Sequence, residues 1–526
     1  MITGIEKRFR QKERSNKKMY KHSKFSLICL FFCVLFSAGL YSVKPADAAD
    51  LSNVIRVLQV CVGLTPSLQA ADDANGDKKI SLEDAIYVLQ MVAGLRDDET
   101  WKLNTGTINL GTTITYSGTG ISVSGTTVTI TAGGDHTVSG TLTDGMIFVN
   151  TTERVKLRLS GVNITNKSGP AIFISNADKA FITLVENTVN YLTDGTTYSV
   201  EAKGALFSND TLEIKGNGTL HVTGNYKHGI ACDDDIIIEN GIIIIDKAVK
   251  DGIHVNNNLT VNGGNITITA SSDGIESEGD IVVNAGTLTI SAGDDGLVAA
   301  TDVTTNGGTI NILTAAEGLE SKGDIIINAG DITVAAKDDG LNATGNITVN
   351  GGNLYSNTTS GDALDSNGTL NINGGTMVTS GGNVPEGGAD CDNNVFTIKG
   401  GILIAAGGAN STPSSVTSTQ PSVLLGSAAA NSVIRIEQGG TEVLTFKVTK
   451  AYQNMLFTSP NLTLGKTYTV YSGGTVSGGT DFHGLYTGAA YTGGTQSVTF
   501  TTASVVSNAG GTTGGPGGPG GKPPMW

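Results

Sequence analysis

The chain is poor in aromatic, sulfur-bearing and basic side chains, and each scarcity removes a class of function. Only 6% of its 526 residues are aromatic and only 11 are proline. Five cysteines are present; Cys29 and Cys33 sit in an N-terminal apolar run, which leaves Cys61, Cys232 and Cys391 as an odd set in different segments. No disulfide framework is indicated. Six scattered histidines give no zinc spacing, so zinc chemistry is set aside at this level. Lys and Arg number 33 against 48 Asp and Glu, a formal charge of -15, which repels nucleic acid and anionic lipid and suits cations or partners bridged by them. What the chain has in abundance is glycine, 72 residues of it. Much glycine with few aromatics points to a repetitive β-architecture rich in tight turns.

The first 50 residues depart from this composition. Nine Lys and Arg fall between Lys7 and Lys24, followed by an apolar run from Phe25 to Leu40, and Ala46-Asp47-Ala48 offers a cleavage site. This is the pattern of a secretory signal peptide, for which Met19 gives an alternative start. A membrane anchor would need roughly 20 apolar residues and the run has about 16. Removing residues 1 to 48 takes away ten basic and three acidic residues and leaves 23 against 45, a formal charge of -22. The expectation is a secreted or cell-surface chain with no membrane insertion after signal removal.

Between Asp73 and Asp84 the segment DANGDKKISLED places side-chain oxygens at Asp73, Asn75, Asp77, Ser81 and Asp84, with a backbone carbonyl at Lys79. That is the register of a calcium loop, with a solvated acidic turn as the plainer alternative. The helix pattern after it, LEDAIYVLQMVAGL from Leu82, echoes LSNVIRVLQVCVGL from Leu51 at an offset of 31 residues. A duplicated loop-and-helix unit of this kind resembles the dockerin type I module over residues 50–97, which implies a cohesin-like protein partner. Two departures from that pattern are Lys78, where calcium loops carry glycine, and a first repeat that keeps its helix without a loop. A small helical spacer is the alternative.

From Asp251 the chain repeats. Units begin at 251, 273, 295, 317 and 339, each 22 residues apart, and one inserted residue carries the next start to Asp362. Stacking the units aligns Asn262, Asn284, Asn306, Asn328, Asn350 and Asn373, then Gly264, Gly286, Gly308, Gly330, Gly352 and Gly375 two residues later, a turn once per unit. Between the turns lie short alternations such as Ile281/Val283 and Leu288/Ile290. Three short strands per coil predict a mainly β protein built as a right-handed parallel β-helix with 22-residue coils. The expected division is a signal peptide over 1–48, the dockerin-like module over 49–98, the β-helix over 99–410, a C-terminal β-region over 411–508 and a disordered Gly/Pro tail over 509–526.

Coils in such a fold stack at ~4.8 Å. The unit starts Asp251, Asp273, Asp295, Glu317, Asp339 and Asp362 then form a ladder of like charges, each before a glycine except the last, where Ala363 follows. At that spacing and an effective dielectric of about 20, neighbours repel by roughly 3.5 kcal/mol, so a positive charge is needed there. Asp294 and Asp338 add a carboxylate just before the ladder in alternate coils, and Glu276 and Glu320 add one three residues after it in the coils between; Asp365, Asp390 and Asp392 extend the pattern. This oxygen-rich, sulfur-free setting predicts several Ca2+ ions, structural in the first instance.

No Phe, Trp or Tyr occurs from Asp251 to Leu354, so the regular coils lack a platform for stacking on neutral sugars. A calcium-lined acidic face instead suits a uronate carboxylate. Tyr452, Tyr468, Tyr471, Phe482, Tyr486 and Tyr491 concentrate in the C-terminal region and read as the core of a small β-domain.

Units alternating DDG with EG-hydrophobic-E, a closing DALDSNGTLNINGG, a later GADCD with FTIKGGILIAAGG, and a final KTYTVYSGGT through GLYTGAAYTGGT resemble a family of secreted carbohydrate-binding β-helix proteins over roughly residues 100 to 508. That family is related in fold to family 9 pectate lyases. The resemblance implies calcium between coils and binding of plant-type polysaccharide such as polygalacturonate or cellulose, without catalysis. One competing function is calcium-dependent β-elimination, which needs a base for the C5 proton; Lys247, Lys250, Lys322 and Lys337 are the candidates. Another is a rigid adhesive spacer.

Overall fold

The computed structural model describes residues 104–511, with helical residues at 55–56 and 58–60. The signal segment, the calcium-loop residues Asp73, Asn75, Asp77, Lys79, Ser81 and Asp84, and the tail from 512 lie outside the described residues. The chain divides into two compact units, Met1–Thr100 and Trp101–Trp526. Among the described residues no helix is long and apolar enough to cross a membrane.

The second unit is a β-solenoid. One face is a 12-stranded sheet in which each coil contributes one strand; the other two faces belong to a 27-stranded sheet. In the regular coils the first-face strands are three residues long, as in Ile275–Ser277 and Leu297–Ala299, and pair in parallel with Ile275 opposite Leu297. The second face repeats this with Ile281–Val283 against Val303–Thr305, and the third with Thr287–Ser291 against Thr309–Thr314. A three-residue strand has room for one outward side chain between two inward ones. The inward columns are therefore the core, and Leu259, Ile281, Val303, Ile325, Ile347 and Leu370 are all fully buried. Each such side chain contributes about 1.5–3 kcal/mol on burial, an upper bound against an extended unfolded chain.

The turn columns account for the fixed period. Asn284 donates its side-chain N–H to the Asn262 side-chain oxygen at 2.8 Å, and Asn306, Asn328, Asn350 and Asn373 continue the chain at 2.8 to 2.9 Å. Gly264 and its equivalents follow at φ between 81° and 111°, a left-handed conformation that a side chain disfavours. The glycine after each acidic ladder residue has a different reason: a Cβ on Gly274 would stand 2.3 Å from Ile290 of the third face.

The sheet ends are closed by antiparallel strands. At the start, Ile121–Ser124 and Thr127–Ile130 form a hairpin, and Thr115–Ser117 pairs antiparallel with Thr105–Leu110. At the far end, Asn454–Thr458 pairs antiparallel with Ile402–Gly407 and with Ser422–Leu425. Residues 411–508 thus lend strands to the long sheet while also forming a six-stranded antiparallel sheet of their own. Covering an open edge with a reversed strand blunts further strand addition. Tyr452 and Tyr468 are buried in the core beneath this cap with Phe457 and Phe500, whereas Tyr471, Phe482, Tyr486 and Tyr491 are half-buried.

Candidate functional site

The acidic column occupies the corner between the third and first faces, two residues before each first-face strand begins. Three residues further on, the outward position at the middle of that strand forms a second column: His254, Glu276, Val298, Glu320, Asn342 and Asp365 pair in sequence from coil to coil, and Asp365 bridges to Asp390. The two columns are one side chain apart, so carboxylates from adjacent coils meet.

Four groups of oxygens result, each with one atom per residue within 4.8 Å of the others: Asp251, Asp273 and Glu276; Asp273, Asp294 and Asp295; Asp295, Glu317 and Glu320; Asp362, Asp365 and Asp390. Opposite oxygens around a hard cation bound at 2.3–2.6 Å stand about 4.6–5.2 Å apart, so the spacing fits such an ion. Asp338 and Asp339 fall outside these groups, but the Asp338 charge helps to raise both Glu317 and Asp339.

The backbone donates to several of the ladder carboxylates. The N–H of Asp295 donates to Asp273 Oδ1 at 2.9 Å, Glu317 N–H to Asp295 Oδ1 at 2.9 Å and Asp362 N–H to Asp339 Oδ1 at 2.7 Å. One accepted bond does not offset burial and like charge. Burial, with repulsion from Asp251, Glu276 and Asp294, pushes Asp273 up to about 6. Burial and then Glu317 push Asp295 to about 8; burial and then Asp365 push Asp339 to about 8. Burial and then Asp390 raise Asp365 to about 7, and burial also raises Asp362 and Glu317. A corner that holds protons at neutral pH is one where a divalent cation has much to displace.

The head of the column is built differently. Asp251, which is 1% exposed, lies between two imidazoles: His228 Nδ1 stands 2.9 Å and His254 Nδ1 3.4 Å from Asp251 Oδ2, and His254 Nδ1 is 2.8 Å from Glu276 Oε2. Burial alone would raise Asp251, but the His228 and His254 contacts outweigh it and hold the carboxyl well below the usual range. Burial alone would lower His254, and Asp251 and Glu276 raise it to about 9 instead. His228 and His254 are therefore brought together, which corrects the sequence expectation for these two histidines. His228 and His254 stack with centroids 4.3 Å apart. The signal was available: His228-Gly229-Ile230 aligns with Asp251-Gly252-Ile253 one coil on, as the pairing of Ile230 with Ile253 shows.

A second polar column was not anticipated. Asp280, Asp302 and Asp324 stand at the turn before the second face, where Asp280 Oδ1 accepts the Asp302 N–H at 3.1 Å and Asp302 Oδ1 the Asp324 N–H at 2.7 Å. With Asn258 and Asn346 they serve as turn caps between coils.

Lys247, Lys250, Lys322 and Lys337 are all exposed. Lys247 Nζ reaches Asn225 Oδ1 at 3.3 Å, and Lys322 pairs with Glu320, which with Glu317 raises the ammonium against the lowering effect of burial. A lysine that removes a carbon-bound proton needs the opposite shift.

Comparison with known proteins gives three findings. A solved polysaccharide lyase-like protein from C. thermocellum, a gadolinium derivative, aligns at 33% identity over 45% of this chain and 96% of its own length, with a TM-score of 0.37. A carbohydrate-binding domain-containing protein of Acetivibrio thermocellus is 38% identical over 126 residues, 22% of this chain; the chain spans 44% of that relative's length. The family model for carbohydrate-binding domain-containing proteins matches residues 124–363 and 314–447, more than half of the 526 residues. The β-solenoid with its acidic corner thus belongs to the carbohydrate-binding domain-containing protein family.

Proposed function

We propose that this chain is a non-catalytic, extracellular binding protein that holds acidic plant-type polysaccharide, such as polygalacturonate, through calcium ions seated along the acidic corner. The observation that carries the reading is the run of carboxylate oxygens gathered within 4.8 Å of one another in consecutive coils, centred on Asp273, Asp295 and Glu317. Asp273, Glu276, Asp294, Asp295, Glu317 and Glu320 would hold the ions, as would Asp362 and Asp365 with Asp390. Asp338 and Asp339 contribute charge beside them. Calcium here neutralises the ladder and presents open coordination positions that a uronate carboxylate fills. Ion spacing then follows the coil spacing, and a repeating polyanion meets a repeating cation row.

Lys322, one candidate base of the lyase alternative, is exposed and raised by its acidic neighbours, the direction opposite to that a general base needs. Residues 50–97 fit the same extracellular setting as a docking module for a cohesin-like partner, through the calcium loop Asp73 to Asp84.

Retention on insoluble polygalacturonate, cellulose and chitin, with and without chelator, tests the reading. It requires retention on polygalacturonate that is lost with chelator. Chelator-resistant retention on cellulose would move the site elsewhere, and no retention at all would leave a spacer. An absorbance assay for unsaturated sugar products on the same substrates decides the enzymatic alternative, and steady product formation would overturn the non-catalytic part.

A further inference from the structure

The head of the column differs in kind from the groups that follow. Its donors are two imidazole nitrogens and a carboxylate, and all three ligand atoms, on His228, Asp251 and His254, lie within 4.8 Å of one another. His228 is 3% exposed and Asp251 1% exposed, so neither is a solvated surface group. His228 Nδ1 and Asp251 Oδ2 are close enough to interact, yet neither has a partner in hydrogen-bonding geometry. The other oxygen of Asp251 is already occupied by the Asp273 N–H at 3.3 Å. Two buried polar atoms therefore stand 2.9 Å apart without satisfying each other, an arrangement that is costly when nothing sits between them.

We propose that His228, Asp251 and His254, completed by Glu276, bind a late first-row divalent ion of the Zn2+ kind. The donor set decides the class of ion. Imidazole suits Zn2+, Co2+ or Ni2+, whereas Ca2+ takes oxygen almost alone. Ligands bound at 2.0–2.2 Å in a tetrahedron stand about 3.3–3.6 Å apart, so His254 with Asp251 already matches and the two shorter pairs must open slightly around an ion. The observed separations are 2.9 Å for His228 with Asp251, 3.4 Å for His254 with Asp251 and 2.8 Å for His254 with Glu276. Four residues from three adjacent coils would then be tied at one point, at the place where the acidic ladder begins. Glu276 also belongs to the first all-oxygen group, so the nitrogen-bearing site and the oxygen-bearing row share one ligand.

The test is a titration of the metal-depleted full chain with Co2+ in excess Ca2+, read by visible absorption. The expected result is one equivalent bound with the intense bands of tetrahedral Co2+, displaced by stoichiometric Zn2+. His228→Gln and His254→Gln should abolish the bands, while Asn306→Ala, in the turn column away from the acidic corner, should leave them unchanged. X-ray absorption of the unsubstituted Zn2+-loaded chain gives a reading that does not depend on any variant folding, and two imidazoles in the first coordination sphere are expected. Co2+ bands unaffected by either histidine change, competition by Ca2+ at equal concentration, or a first sphere without imidazole would each overturn the proposal.

Discussion

The head and the middle of one column offer two answers to the same physical problem. Asp251 and Asp295 occupy equivalent corner positions two coils apart, each before a glycine and each beside the next coil. Asp251 faces imidazoles and is held well below the ordinary carboxylate range, while Asp295 faces Glu317, Asp294 and Glu320 and is pushed up to about 8. The backbone geometry is shared, so the difference comes from side chains alone. At the head the protein supplies its own cationic or metal-binding partner; in the middle it leaves an unmet demand that a soluble cation can fill. A repeated scaffold can thus set imidazoles beside a carboxylate in one coil and further carboxylates beside its equivalent two coils on.

The largest expected effect breaks the head. Asp251→Asn leaves His254 with half its acidic surroundings and a buried imidazolium poorly compensated, and should cost about 3–5 kcal/mol in denaturant unfolding, the range for breaking a buried ion pair from one side. The same change in the middle should have the opposite sign. Without calcium and above pH 8, where Asp295 carries its charge, Asp295→Asn removes a repelling charge and should stabilise by about 1–2 kcal/mol, a fraction of the full pairwise repulsion. With calcium it removes a ligand, and the sign should reverse. Equal effects of the two substitutions in chelator would erase the distinction.

pH sharpens the comparison. Asp295 and Asp339 sit at about 8 in the fold against an ordinary value near 3.9 unfolded, so the folded state binds more protons and calcium-free stability should fall as pH rises from about 4 to 8. His254, raised to about 9, contributes stability that is complete below its unfolded value near 6.5 and lost as pH rises through 9. Both regions therefore favour mild acid. Only the loss due to the middle should be removed by calcium, which thermal melts at pH 5 and pH 8.5 with and without the ion would show.

The smallest effect lies away from both sites. Asn306→Ala interrupts the asparagine chain between Asn284 and Asn328 and should cost about 1 kcal/mol in either condition, as for one hydrogen bond. A calcium-dependent effect there would mean that the ladder and the turns are not separable.

Much of this was legible in the residues. A strict 22-residue period aligned Asn262 with Asn284 and Gly264 with Gly286, and the structure uses both columns as turns at every coil. Glu276 and Glu320 were found because they recur in the coils between those that carry Asp294 and Asp338. His228 was missed because it precedes Asp251 by 23 residues, one more than the period, in a coil that has an extra residue accommodated where the register shifts near Ile245 and Ala248. The antiparallel closure by Asn454–Thr458 was equally hidden, since a strand of that composition fits a separate sheet as well as it fits the solenoid's open edge. Period reveals what repeats, and the ends and the irregular coils are where function-bearing differences collect.

Calorimetric titration of an oligogalacturonide into the chain, with calcium present and after chelation, tests the central claim most directly. The account predicts saturable binding with calcium, none after chelation, and loss of the calcium-dependent binding in the Asp295→Asn, Glu317→Gln double variant. Binding that persists after chelation, or that is undiminished in the double variant, would contradict it.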